Sequence, residues 1–211
     1  MRVDRAGLPF IFGALACAVA AAIWTSWIAA VPFLALTAFF TFFFRDPERQ
    51  IPAALRDTDV LAPADGRVLV AGDAIPEGAP EGAWKQISIF LSPMDVHVNR
   101  VPVSGRVTRV TLTPGQFLPA YHHDAGGRNE RSEIWIDHHG QPIVTRQVVG
   151  MLARRVVCRI AGGDDVRAGQ RLGVMKFGSR MDVFVPRDAT IAVQVGAMVR
   201  GGETVIAVLH S

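Results

Sequence analysis

"DVLAPADGRVLVAG", residues 59–72, decides the fold. Apolar and polar positions alternate along it, and Pro63 and Gly66 punctuate it. Alternation with a period of two, bounded by turn residues, predicts a half-buried strand rather than a helix. The same phrasing returns at "VPVSGRV", 101–107, and more faintly at "VPRDATI", 185–191. In the first two, a proline, two residues, glycine, arginine and valine follow in order. Glycine permits the tight turn there, and valine begins the buried strand.

Working outward, short β-branched runs recur at turn-bounded intervals from about residue 50 to the end. They are "WKQISIFLS", "GRVTRVTL", "SEIWIDH", "PIVTRQVVGMLARRVVCRI", "RLGVMKF", "MDVFVP", "TIAVQV" and "TVIAVL". Part of "ARRVVCRI" has helical character, but its β-branched content favours strand. The fold class is therefore mostly β: a barrel-sandwich-like β domain over residues 50–211.

Residues 1–49 differ in kind. No Asp, Glu, Lys or Arg lies between Ala6 and Phe44. A membrane-crossing helix needs about 20 apolar residues, so this run has room for two short spans, or for one tilted span and an interfacial piece. Thr25–Trp27 and Pro32 are the natural bends, with Trp24 and Trp27 at a membrane–water boundary. The run continues too far for a cleaved signal peptide. We read it as a membrane anchor, most simply a helical hairpin. Arg2, Arg5, Arg45 and Arg49 flank it, which puts both ends, and the β domain, on the cytoplasmic side of the cell (inner) membrane.

The formal charge of +3 suits an anionic lipid surface. No basic cluster interleaved with aromatics is present, so nucleic acid is not expected as a partner. The two cysteines, Cys17 in the apolar run and Cys158 in the β domain, do not form a disulfide framework. His122 and His123 lack the further ligands of a metal site, and no metal is expected.

One dipeptide interrupts the pattern. Gly178-Ser179 breaks "GQRLGVMKFGSRMDVFVP", residues 169–186, between two strand-like runs. A turn is the ordinary explanation. The other is a bond meant to break. A serine hydroxyl attacks the preceding carbonyl, the amide becomes an ester, and β-elimination followed by hydrolysis leaves a pyruvoyl group on residue 179. Glycine at 178 leaves the carbonyl open and tolerates unusual backbone angles. Elsewhere, "SPMDVHVNRVP" puts Asp95, His97 and Asn99 on one face by alternation. Asp65 lies in the 62–68 turn, and Asn129, Glu130 and Arg131 open a strand.

Taken in order, "FFRDPER", "APADGRV", "SPMDVHVNRVP", "PGQF", "NERSE", "QVVGMLARRVVCRI" and "KFGSRMDVFVP" resemble the short bacterial form of phosphatidylserine decarboxylase, a pyruvoyl-dependent lyase. The resemblance implies a zymogen cut autocatalytically at Gly178-Ser179 into a β chain, 1–178, and an α chain, 179–211. The cofactor would be a pyruvoyl group derived covalently from Ser179. Its ketone would form a Schiff base with the amine of phosphatidylserine, and loss of CO2 would give phosphatidylethanolamine. By the same resemblance Ser179, His97 and Asp65 are catalytic. Asp65 would assist a histidine in activating the serine. Long forms carry a second histidine where this chain has Arg100. Either His97 therefore takes the base role or processing uses another geometry, with His122 or His123 as further candidates. Of these we choose His97. An imidazole ordinarily titrates near neutral pH, which also makes His97 the proton donor to the product. Arg100, Asn129 and Arg131 are the candidates for substrate binding, the arginines for the lipid phosphate. Whether the chains form a homo-oligomer stays open.

Two other functions fit the bare pattern. "VMKFGS" resembles the lysine-bearing hairpin of a membrane-tethered biotinyl- or lipoyl-type carrier, with Lys176 modified. A duplicated β domain binding sugars or peptidoglycan outside the membrane is the second, though an unpaired Cys158 suits an oxidising space poorly.

Overall fold

The computed structural model describes residues 2–74, 79–151, 156–176 and 178–210. It divides into two compact units, Met1–Glu48 and Arg49–Ser211.

The first unit is a helical hairpin. Strand β1 (Arg2–Val3) pairs antiparallel with β2 (Arg45–Asp46), bringing its two ends together. Between them run helices α1 (Leu8–Trp24) and α2 (Trp27–Phe43). At 1.5 Å per residue each spans about 26 Å, close to the hydrocarbon thickness of a bilayer. Measured from Arg5, the first is long and apolar enough to cross a membrane. The bend falls at Thr25–Ser26. Thr25 Oγ1 donates to the Ala21 carbonyl at 2.6 Å and closes α1, while Ser26 Oγ accepts from the Ala29 N–H and opens α2. Pro32 does not separate the two helices, because it lies inside α2, which continues through it. Small residues bring the helices together: Ala14, Ala18 and Ala30 are buried, whereas Phe12, Ile23, Trp24, Trp27 and Ile28 are exposed. Gly7 has no room for a side chain, since a Cβ there would fall on the Phe44 ring.

The second unit is mostly β. Its strands are β3 (Asp59–Leu61), β4 (Gly66–Asp73), β5 (Trp84–Leu91), β6 (Val98–Arg100), β7 (Gly105–Thr113), β8 (Arg131–His138) and β9 (Gln141–Val148). After them come β10 (Val156–Cys158), β11 (Asp165–Val166), β12 (Arg171–Met175), β13 (Ser179–Pro186), β14 (Thr190–Ile191), β15 (Met198–Val199) and β16 (Val205–Val208). A curled eight-stranded sheet takes the order β11-β7-β8-β9-β13-β5-β4-β15. Two three-stranded sheets, β10-β12-β6 and β14-β16-β3, complete the unit. The one-turn helix α3 (Ala125–Arg128) lies in the connection between β7 and β8.

The long run at 142–160 divides into β9 and β10, and its residues 152–155 lie outside those described. "TIAVQV" contributes only Thr190–Ile191 as strand. Ala192 N–H still donates to Ile206, but the chain then turns at Gln194–Ala197.

Alternation gives the large sheet two unlike faces. Val183 and Val185 of β13, Ile87 and Ile89 of β5, Ile143 of β9, and Ile134 and Ile136 of β8 fill the main core with Val60, Val68 and Leu172. On the opposite face Trp84, Val144 and Phe184 form a smaller apolar cluster. Beside it lies a polar layer: Arg180 Nε donates to Asp182 Oδ1 at 2.6 Å, and Arg146 Nη2 to Glu133 Oε2 at 2.6 Å.

Candidate functional site

Strand β13 starts at Ser179. Gly178 precedes it with φ +69°, the left-handed region that glycine enters without strain. Ser179 pairs with Leu91 of β5 and is completely buried. Its Oγ has no hydrogen-bond partner among the described residues. A buried hydroxyl left unpaired costs free energy, so it calls for an explanation. By alternation its side chain shares the core-facing side with Met181, which packs with Ala64, Leu91 and Met175.

His97 lies in the connection from β5 to β6 and is also fully buried. Its carbonyl accepts from Met175 N–H at 3.2 Å, which ties it to the end of β12. Nδ1 stands 3.0 Å from the Asp95 carbonyl. A carbonyl only accepts, so Nδ1 carries a proton, and in the neutral ring Nε2 is the basic nitrogen. Asp95 itself folds back on the turn, its Oδ2 accepting from Ser92 N–H at 2.8 Å.

Asp65 is bound by an arginine and a backbone N–H. Its carboxylate takes Arg49 Nη2 at 2.8 Å and the Gly201 N–H at 2.8 Å. Arg100 is buried nearby: its N–H donates to Pro63, and Nη1 lies 3.4 Å from the Gly169 carbonyl. Gly202 passes close to both arginines, since a Cβ there would be 3.6 Å from Arg100 Cγ and 3.8 Å from Arg49 Cβ. Asp65 is thus ion-paired with Arg49, and the Gly202 backbone lies against the stems of both arginines. Ser179 pairs with Leu91 and His97 is bonded to Met175, and Leu91 and Met175 pack in one apolar cluster with Ala64 and Met181.

The two remaining candidates lie elsewhere. The Asn129 amide is wholly engaged with backbone: Oδ1 accepts from Leu118 N–H, and Nδ2 donates to the carbonyls of Leu118 and Val149. Arg131 Nη1 donates to the carbonyls of Gly127 and Asn129. It stands with Glu133 and Arg146 on the sheet face away from Ser179. Burial and the Arg146 charge push the Arg131 guanidinium below its ordinary value. Burial works to raise the Glu133 carboxyl, but the Arg146 guanidinium and the Trp135 N–H outweigh it and hold the group below the usual carboxylate range.

Three features were invisible in the sequence. The first is Gly150, just beyond β9: a Cβ there would fall on the Gly178 carbonyl oxygen and 3.3 Å from Ala120 Cβ, so only glycine fits against that carbonyl. The second is Arg49 on Asp65. The third is a buried amide pair, in which Gln147 Nε2 donates to Asn99 Oδ1 at 2.9 Å. Alternation had put Asn99 beside His97, but nothing in the chain pointed to its partner.

His122, His123 and Asp124 bring three ligand atoms within 4.8 Å of one another at an exposed turn, one fewer than a closed zinc site takes. Lys176 is half-buried between β12 and β13, which belong to different sheets, so it does not stand at a hairpin tip as a carrier lysine would.

A β unit with a buried serine whose hydroxyl has no partner among the described residues, behind a left-handed glycine, and with an apolar helical hairpin on the same chain, defines the class to which comparison with known proteins then gives a name. Residues 36–207 match the family model of phosphatidylserine decarboxylase. A phosphatidylserine decarboxylase proenzyme of Salinibacter ruber is 42% identical over 88% of this chain and 84% of its own. Those of Syntrophus aciditrophicus and Nitrosomonas europaea are 39% and 38% identical, over 96% and 99% of this chain and 95% of each relative. The chain belongs to the phosphatidylserine decarboxylase family.

Proposed function

We infer that this protein removes CO2 from phosphatidylserine to give phosphatidylethanolamine, after cutting its own chain between Gly178 and Ser179. The observation that carries this reading is the buried Oγ of Ser179, without a partner among the described residues and placed directly after a glycine at φ +69°. Family membership and the proenzyme names of the relatives support it.

Self-processing uses only residues of the chain. Ser179 Oγ gives up its proton and attacks the Gly178 carbonyl carbon. The new C–O bond forms, the C–N bond breaks, and the freed nitrogen takes up a proton. Next the Ser179 Cα loses a proton and the Cβ–Oγ bond breaks, leaving a carboxylate on Gly178 at the end of chain 1–178. Water then replaces the nitrogen, which departs as ammonia, and chain 179–211 begins with pyruvoyl. The neutral His97 ring, protonated at Nδ1, offers Nε2 as the base. Asp65 contributes as a fixed negative charge paired with Arg49.

A pyruvoyl group at position 179 supplies a ketone that reacts with the headgroup's amine and an adjacent carbonyl that withdraws electrons as CO2 leaves. His97 then returns a proton to the substrate's α-carbon. Arg100 is the residue proposed for the lipid phosphate. Asn129 and Arg131 shape the substrate site through the 116–131 backbone they bind. The apolar hairpin holds the β unit at the inner membrane, on its cytoplasmic side, where the substrate headgroup lies.

Intact mass of the detergent-purified protein tests the reading. Two chains, 1–178 and 179–211, are expected, the smaller with an N-terminal carbonyl that hydroxylamine traps. Ser179→Ala is expected to stay whole and inactive. An uncut Ser179→Ala protein with full activity would overturn the mechanism.

A further inference from the structure

Asn99 and Gln147 are both completely buried, and each keeps one polar atom with no partner among the described residues: Asn99 Nδ2 and Gln147 Oε1. Turning both amides over does not remove the mismatch. One N–H donor and one carbonyl acceptor would still be left, because two amides joined by a single bond always leave one of each. An unsatisfied pair of this kind costs free energy in a folded core, and such groups recur at working sites.

The location is specific. Gln147 lies opposite Met181 across the β9–β13 ladder, and Met181 is two residues from Ser179 on the same side of the strand. Diagonal neighbours in such a ladder are about 7–8 Å apart, within reach of a long side chain. Asn99 lies opposite Gly173 of β12 and two residues from His97. Gly173 has no side chain to intrude: a Cβ there would be 3.2 Å from Gln147 Nε2.

We propose that Asn99 and Gln147 together recognise the α-amino acid end of the substrate headgroup, the donor taking its carboxylate and the acceptor its amine nitrogen. This rests on the decarboxylase reading and adds to it. A neutral amide suits the task. A guanidinium would stabilise the carboxylate charge that must be lost, whereas an amide N–H orients the group without a full ion pair. The product carries no carboxylate, so the donor is unmatched once CO2 has left. That difference favours substrate over product.

The test uses the full-length protein in detergent–lipid micelles. In Asn99→Leu/Gln147→Met both polar partners become apolar side chains of similar shape, an exchange that is nearly neutral for folding. This variant is expected to cut itself at Gly178-Ser179 as wild type does and to show KM for phosphatidylserine raised about tenfold or more. In Gln147→Glu, an Asn99 Nδ2 N–H is drawn to the new carboxylate, whose negative charge also repels the substrate carboxylate. Gln147→Glu is expected to weaken phosphatidylserine at least fivefold more than it weakens inhibition by phosphatidylethanolamine. Equal weakening of the two lipids, or an unchanged KM in the double variant, overturns the proposal. So does a folded double variant that stays uncut, since the pair would then serve processing. A wild-type protein that neither cuts itself nor releases CO2 would instead sink the decarboxylase reading.

Discussion

Arg49 holds Asp65 in a two-oxygen grip, with Nη2 2.8 Å from Oδ1 and 2.9 Å from Oδ2. Both side chains are largely buried, at 8% and 17% exposure. Taking one partner from such a pair leaves an uncompensated charge, at a typical cost of about 3 kcal/mol or more. Arg49→Met is therefore expected to lower the unfolding free energy by about that much. Asp65→Asn still accepts from the Gly201 N–H and is expected to cost less. A double-mutant cycle by urea unfolding should give a coupling of at least about 1 kcal/mol. Additive losses would mean that the contact contributes nothing.

Gly150 abuts the carbonyl of the bond proposed to break. Gly150→Ala forces the Gly178 oxygen to move, because the contact is with backbone and not with a flexible side chain. Self-cleavage is expected to slow at least tenfold. Gly72→Ala is the control, since a Cβ there meets nothing within 4 Å. Both are followed by gel after a pulse of synthesis. Equal cutting in the two variants would show that the carbonyl does not need Gly150.

Much of this was legible in the chain because it is local. Alternation in 84–91 and 131–138 places Ile87, Ile89, Ile134 and Ile136 in the core, as found. The charge-free run from Ala6 to Phe44 announces the apolar hairpin. Pro32 misled because a proline removes one donor without having to end a helix, and the capping hydroxyls of Thr25 and Ser26 set the turn instead. What escaped is non-local. Arg49 meets Asp65 across 16 positions and Gln147 meets Asn99 across 48. Neither carries a periodic signal, because each contact exists only once the sheets have closed. Gly150 escaped for a related reason: a glycine after a strand looks like a turn until the opposing carbonyl is seen.

Asn129 binds three backbone groups that have no comparable partner once its amide is gone. Each buried group left unpaired costs about 1–3 kcal/mol. Asn129→Ala is expected to lose about 3 kcal/mol and to expose the 116–129 segment to proteolysis. Asn129→Asp keeps the acceptor for Leu118 N–H but loses both donors, and its carboxylate then faces the carbonyls of Leu118 and Val149. It should therefore be no better than alanine. An asparagine that served only to contact lipid would leave stability unchanged and alter KM alone.

Glu133 makes stability depend on acid. Its carboxyl is held below the ordinary range in the folded chain, against the push of burial, by the guanidinium of Arg146, the Trp135 N–H and the charge of Arg131. A depressed carboxylate stabilises the fold above its unfolded pKa of about 4.3, and that contribution disappears as pH falls through the lower folded value. The wild-type melting temperature should therefore hold between pH 7 and 5 and drop below about pH 4.3. Glu133→Gln cannot ionise, and it leaves Arg131 and Arg146 facing each other uncompensated. Its melting temperature should be lower at pH 7 and should approach that of wild type at pH 3. Melting curves across that range decide the matter: a gap that stays constant down to pH 3 would mean that Glu133 acts by packing and not by charge.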